Sequence, residues 1–146
     1  MIREAKLRDS AQLADLMGTL GYPADCQSMR KRLTNIFADS HYQTYVFEED
    51  GELMGMIGMM HSMAYHTGDT HVRVIAFVVE GAAQGKGIGR LLMNQTEEWA
   101  KQKEAARITL NSGNRLERNK AHSVYEHLGF EGKATGYYKN IEYQNS

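Results

Sequence analysis

The chain is predicted to fold as one α/β (α+β) domain, with a mixed, mostly antiparallel sheet of about six to seven strands and helices on both faces. Three observations predict this. Hydrophobic periodicity reads along the chain as β-α-α-β-β-β and then α-β-α-β. The second, third and fourth strands follow one another through turns, which makes them antiparallel neighbours. The fourth and fifth are separated by a helix, and a strand–helix–strand crossover joins parallel strands. At 146 residues, 42% of them hydrophobic and 24% charged, the chain suits a single domain over 1–146 with its own core.

Each element has its own signal. Ile2 to Lys6 alternates as a first strand. Asp9 or Ser10 offers an N-cap to a helix bearing Ala11, Leu13, Leu16, Met17 and Leu20. Gly21-Tyr22-Pro23 ends it, because glycine permits a left-handed cap and proline cannot continue a helix. A second helix over about Asp25 to Ala38 carries Met29, Leu33, Ile36 and Phe37 on one face. Tyr42 to Glu48 and Leu53 to Met63 are strands joined by the Glu49-Asp50-Gly51-Glu52 turn. Five of the nine methionines (Met54, Met56, Met59, Met60, Met63) lie in the returning strand. Core filling is the commoner fate of methionine; lining a plastic substrate pocket is the sharper alternative.

After a turn at His66-Thr67-Gly68-Asp69, the segment His71 to Glu80 is a β-branched, largely buried strand. From Gly87 a helix runs to about Lys103 with Ile88, Leu91, Leu92, Gln95 and Trp99 inward. Arg107 to Asn111 is a short strand. A helix from about Asn119 to Leu128 is closed by Gly129, and Thr135 to Ile141 is the final strand.

Composition excludes several functions. Seventeen basic residues against eighteen acidic ones give a formal net charge of -1, without the basic stripe of a nucleic-acid binder. Cys26 is the single cysteine, so no intramolecular disulfide forms and no oxidising compartment is implied. The opening Met1-Ile2-Arg3-Glu4-Ala5-Lys6 carries charge where a signal peptide needs apolar residues. The run Leu53 to Met60 is far too short to span a membrane. A cytoplasmic protein that needs no metal and binds neither membrane nor nucleic acid is expected.

The segment from Phe77 to Arg90 is the informative one: a buried strand, a short loop and a helix start. Glycines at 85, 87 and 89 strip side chains from that helix start, so backbone N–H groups can approach a ligand closely. A helix N-terminus is partly positive and favours an anion such as a pyrophosphate, and Lys86 and Arg90 add full charges. A P-loop would need Lys-Ser or Lys-Thr after the glycines, and a dinucleotide fingerprint a G-x-G-x-x-G spacing near the start of a doubly wound fold. Neither is present.

The pattern Gln84-x-x-Gly87-x-Gly89 resembles the [QR]-x-x-G-x-[GA] pyrophosphate loop of the GNAT superfamily of acyl-CoA-dependent N-acyltransferases. The element order matches that fold from end to end, and Glu49 to Gly55 looks like its strand 2–3 hairpin. The segment Leu110-Asn111-Ser112-Gly113 through Arg118, Ala121-His122, Tyr125-Glu126 and Leu128-Gly129-Phe130 resembles its C-terminal motif. Arg118, Ala121, His122 and Tyr125 look most like the subgroup of aminoglycoside- and aminoalkylphosphonate-type acetyltransferases.

The resemblance implies that strands 4 and 5 splay and that acetyl-CoA lies between them as the cosubstrate. It places Phe77, Val78 and Val79 beside the pantetheine arm and thioester, and Gln84, Gly85, Lys86, Gly87, Ile88, Gly89 and Arg90 around the pyrophosphate. Arg118, with Asn119 next to it, stands where many members carry a CoA-contacting asparagine; a solvated helix start is the competing reading of Arg118. Tyr125 takes the position of the general acid that protonates the departing thiolate.

The base is where the chain departs from the family. Many relatives place a glutamate on strand 4, and this sequence has Arg73 there, either an anchor for an anionic group of the acceptor or a surface arginine. His71 and Glu80 are the nearest groups to relay the amine proton. Tyr22, Asp25, Tyr137 and Tyr138 lie in the acceptor region that the resemblance defines. The expected reaction moves an acetyl group to a primary amine, by preference on a small molecule, by direct attack in a ternary complex. A protein N-terminus or lysine acceptor, or an acyl-CoA sensor without turnover, are the alternatives. The resemblance also allows a homodimer.

Overall fold

The Asp50-Gly51 turn sets the first register. Both residues are left-handed, with φ of 53° and 81°, the type I′ geometry whose twist matches the strands it joins. It links β2 (Tyr42–Glu49) to β3 (Glu52–Met63) as an antiparallel pair. The computed structural model describes residues 1–110, 125–130 and 139–143, in two compact units, Met1–Leu110 and Asn111–Ser146. In the first unit the remaining elements are β1 (Ile2–Glu4), α1 (Ser10–Leu20), α2 (Cys26–Phe37), β4 (Thr70–Val79), α3 (Ile88–Gln102) and β5 (Arg107–Leu110).

The strands lie side by side in chain order. The pairs β1–β2, β2–β3 and β3–β4 are antiparallel and β4–β5 is parallel, as the connections require. Five strands are present among the described residues, fewer than expected. Of the strand predicted over Thr135 to Ile141, residues 135–138 lie outside the described residues and Lys139 to Ile141 form no strand.

Helices cover both faces. Leu13, Ala14 and Leu16 of α1 and Met29 and Leu33 of α2 are buried in one cluster with Val46, Leu53, Met56 and Val78 of the sheet. Ala14, not the exposed Ala11, completes the inward face of α1, and Phe37 is on the exposed side of α2. On the other face α3 buries Ile88, Leu92, Met93, Thr96, Trp99 and Ala100. Leu91, expected inward, is 46% exposed, and Met93 and Thr96 take the inward places. Thr96 tolerates full burial because its hydroxyl donates to Leu92 O at 3.0 Å. Among the described residues no helix is long and apolar enough to cross a membrane.

Polar side chains tie the ends together. Asp9 heads α1 but does not cap it: its carboxylate accepts two bonds from the Arg3 guanidinium, both 2.9 Å, and one from Lys6 N–H at 2.7 Å. Arg3 also donates through Nε to Glu48. Those bonds to Arg3 hold the Asp9 carboxyl below its ordinary range despite its burial. Asp25 does cap α2, accepting from Ser28 N–H at 2.7 Å.

Candidate functional site

The third and fourth strands determine what faces where. A Cβ placed on Gly55 would meet Leu92 and Ile88, and one on Gly89 would meet the Phe77 ring, so Gly55, Val79 and Phe77 lie on the α3 side. Farther along, the His61 ring stands edge-on to Trp99 at 6.3 Å, which puts His61 and Met59 on that side with their partners Val72 and Val74. Val74 and Phe77 are three residues apart and would face opposite ways in a regular strand. They share a face because the register steps from Gly58↔Ala76 to Met59↔Val74, which leaves Ile75 as a bulge. Arg73 and His71 consequently face away from α3, and Arg73 and Phe77, four apart, lie on opposite faces.

Pairing between β4 and β5 runs from His71↔Arg107 to Val74↔Leu110 and stops there among the described residues. The splay expected between β4 and β5 falls on the residues directly after Leu110, which lie outside the described residues. The ladder to β3 includes Glu80 N–H on Met54 O at 2.8 Å. Antiparallel alternation then directs the backbone groups of Phe77 and Val79 toward the β5 side. The carbonyl of Val79 is taken up by the Gln84 side chain, which donates from Nε2 at 3.2 Å and closes the loop on itself.

The loop turns through a 3-10 segment, Gly81–Ala83, pinned by the buried Ala83. Gly85 and Gly87 are left-handed, with φ of 83° and 81°, and a Cβ on either would point into open space. Glycine is required there for backbone conformation, not for room. Gly87 is the N-cap of α3 and contributes no side-chain cap; the first helical bond is Leu91 N–H to Gly87 O at 3.1 Å. The N–H groups of Ile88, Gly89 and Arg90 thus precede the ladder. Gly89 differs from the other two glycines. It sits in regular helix with the Phe77 ring 3.5 Å from where its Cβ would be, so it sets the packing of α3 on β4. Buried Ile88 anchors the turn, and Lys86 and Arg90 are exposed around it.

Residues 11–130 match the Acetyltransferase (GNAT) family. The chain belongs to that family. An uncharacterized N-acetyltransferase of Bacillus subtilis (strain 168) is 24% identical over 134 residues, 89% of this chain and 92% of the relative. The aminoglycoside N(6')-acetyltransferase type 1 of Stenotrophomonas maltophilia is 29% identical over 134 residues, covering 89% and 85%. The crystal structure of a GNAT family acetyltransferase from Staphylococcus aureus subsp. aureus USA300_TCH1516 superposes with a TM-score of 0.81 at 29% identity, over 97% of this chain and 98% of that one.

The two residues expected to relay the amine proton are not gathered in one place. His71 and Glu80 lie at the two ends of β4, nine residues or roughly 30 Å apart, so they cannot form one relay. The His71 ring is held through Nε2 by Asp69 Oδ1 at 3.1 Å, a carboxylate that also accepts from Thr67 at 2.6 Å. Along the strand His71 is three residues, about 10 Å, before Val74, the last residue of β4 paired with β5 among the described residues. Glu80 begins the Gly81–Ala83 turn and fixes it with its carbonyl on Ala83 N–H at 2.9 Å. Tyr22 is exposed and follows the left-handed Gly21 in the cap that ends α1. Arg118, Asn119, Tyr137 and Tyr138 lie outside the described residues.

In the second unit Tyr125 occupies the last helical turn. Phe130 N–H bonds to Tyr125 O at 3.1 Å, Gly129 N–H to Glu126 O at 3.0 Å, and Gly129 has φ of 93°. This is a Schellman stop, and the Tyr125 and Phe130 rings, 6.5 Å apart, supply its apolar contact. Leu128-Gly129-Phe130 thus fixes the position of Tyr125 for a local reason. Sequence reasoning missed Asp69; the Thr67-x-Asp69-x-His71 spacing was the available signal.

Proposed function

We propose that this chain is an acetyl-CoA-dependent N-acetyltransferase of the cytoplasm that acts as a single domain on a primary amine of a small molecule. The supporting observation is the open, left-handed Gly85-Lys86-Gly87 turn at the start of α3. It leaves backbone N–H groups, Lys86 and Arg90 available to a pyrophosphate where the helix end is partly positive.

In the reaction the neutral amine nitrogen bonds to the acetyl carbonyl carbon as the carbon–sulfur bond breaks. The thiolate takes a proton from Tyr125, and the proton that the nitrogen sheds as the amide forms returns through water to the Tyr125 phenolate. Tyr125 holds this role on its place three residues before the helix stop. Exposed Cys26 lies at the start of α2, apart from the loop in sequence and element, and direct attack needs no acetyl-cysteine.

The test is thiol release from acetyl-CoA across a panel of primary amines, alongside calorimetric titration of acetyl-CoA alone. Amine-dependent release supports the transferase. Tight binding with no release from any amine would replace it by a sensor, a reading favoured only by the lack of a carboxylate at Arg73.

A further inference from the structure

Where β2 begins and β3 ends, three basic side chains converge on the last turn of α3: His41 just before β2, His61 on β3 and Lys103 at the C-cap of the helix. Trp99, only 5% exposed, lies among them. The His61 ring stands edge-on to the indole, with 6.3 Å between centroids and 82° between planes, and the Lys103 ammonium sits 5.5 Å from the centre of the same ring. His61 is also a joint between strands. Its N–H bonds His41 O at 2.8 Å, and its Nε2 lies 2.8 Å from Thr70 Oγ1, on the first residue of β4. Thr70 O in turn accepts from Ala106 N–H at 2.8 Å, one residue before β5. One half-buried side chain thus links β3 to the start of β4 and to the end of α3, and Thr70 carries the link on to β5.

Nothing in this corner is ready to match a third cation. Asp39, the carboxylate beside His41, accepts from the His41 backbone N–H at 2.9 Å and lies 3.0 Å from its ring Nδ1. From β4 His61 meets Thr70 and buried Val72, neither of them titratable, and from α3 it meets Trp99 and the Lys103 charge. Among the described residues the charges that bear on the His61 ring are those of Lys103 and His41, both cationic when protonated. Lys103 already holds the cation–π place over the indole, so an imidazolium would arrive as a second cation on one ring. Burial first, then Lys103 and His41, hold the His61 imidazole below its ordinary 6.5, so the ring is neutral at pH 7.

We propose that His61 is an acid-sensitive latch: neutral, its ring seats the end of α3 against the β3–β4 hairpin; protonated, it adds a cation beside Lys103 and His41 and loosens that corner. The folded ring binds its proton more weakly than the unfolded one. The stability it supplies is therefore whole above its ordinary value and is lost as the pH falls below that value toward the lowered one. The latch does not depend on the transferase reading.

Trp99 is the single tryptophan of the chain, so its fluorescence reads this corner alone. Titrated from about pH 8 to about pH 5, native emission should pass through a step with its midpoint below 6.5. Lys103→Met removes the neighbouring charge and should move that midpoint upward. His61→Gln, which keeps a polar side chain for Thr70, should abolish the step, and His41→Gln should retain it. On acidification across the same range the native chain should lose about 2–4 °C more in melting temperature than His61→Gln. Native emission that is flat with pH, a step that survives in folded His61→Gln, or equal melting losses in the two proteins overturns the latch. Should His61→Gln fail to fold, Lys103→Met decides: an upward shift supports the latch, and an unmoved midpoint overturns it.

Discussion

Replacing Gly87 separates backbone geometry from ligand binding. At φ of 81° any L-residue is strained, by about 1–2 kcal/mol for most side chains and less for asparagine. Nothing lies within 4 Å of the added Cβ, so no steric term adds to this. Gly87→Asn should therefore fold with a melting temperature only a few degrees down. Gly87→Glu pays the strain and also sets a carboxylate beside the first amides of α3. A unit charge about 5 Å from one phosphate charge repels it by ~0.8 kcal/mol in bulk water and ~3 kcal/mol at the effective dielectric of a protein surface. For two phosphate charges the loss is about 2–6 kcal/mol, at least roughly thirtyfold in acetyl-CoA affinity. Calorimetric titration of both variants, with melting followed by circular dichroism, reads the two effects apart. Gly87→Glu that is folded and binds acetyl-CoA within threefold of the native chain would refute the loop assignment.

Three further outcomes are expected. Tyr125→Phe keeps both the ring contact with Phe130 and the helix stop, so turnover should fall by roughly 10- to 1000-fold while acetyl-CoA affinity holds; equal turnover removes the acid role. Glu104 is left-handed (φ 57°) in the cap that ends α3, where Glu104 N–H bonds Lys101 O and Ala105 N–H bonds Ala100 O. Glu104→Gly relieves that strain and removes a negative charge from the negative helix end, so melting should rise by about 3 °C; an unchanged or lower value counts against it. Asp9→Asn should cost about 2–3 kcal/mol at neutral pH by weakening the paired contact with Arg3. Because the folded carboxyl titrates below its ordinary 3.8, this stability is present above about pH 4 and fades as the pH falls through the lowered value, so denaturant titrations of the two proteins should converge in acid.

Most element positions were legible because hydrophobic spacing and turn chemistry agreed. The start of the second helix near Asp25 and the hairpin turn at Asp50-Gly51 were readable, and the structure has both, with Asp25 as the N-cap of α2. The misses have local causes. Leu91 matches the apolar spacing of α3, but buried Ile88 and Leu92 already fill that side of the first turn. Asp9 was readable as a cap, yet Arg3, near in space through β1, outcompetes the helix for its carboxylate. In the loop the glycine spacing pointed to the right turn but merged two roles, conformation at Gly85 and Gly87 and packing at Gly89. The bulge at Ile75 left no mark in composition, since Val74-Ile75-Ala76 is ordinary strand sequence.

That bulge is what lets one strand serve two sides. Without Ile75, strict alternation would turn Arg73 toward α3, where His61 meets Trp99, and would swing Val72 and Val74 out to water. Val72 and Val74 are 0% and 6% exposed, so losing their burial costs about 3–6 kcal/mol before the arginine is counted. This is comparable with the whole stability of an average domain. The side chain of Ile75 is itself 47% exposed and contributes little to the core. Deleting Ile75 should therefore leave the chain largely unfolded, while Ile75→Ala should melt within a few degrees of the native protein. If the deletion variant instead gave native-like circular dichroism and melted near the native temperature, the division of β4 into a half that turns Phe77 toward α3 and a half that turns Arg73 away from it would be wrong.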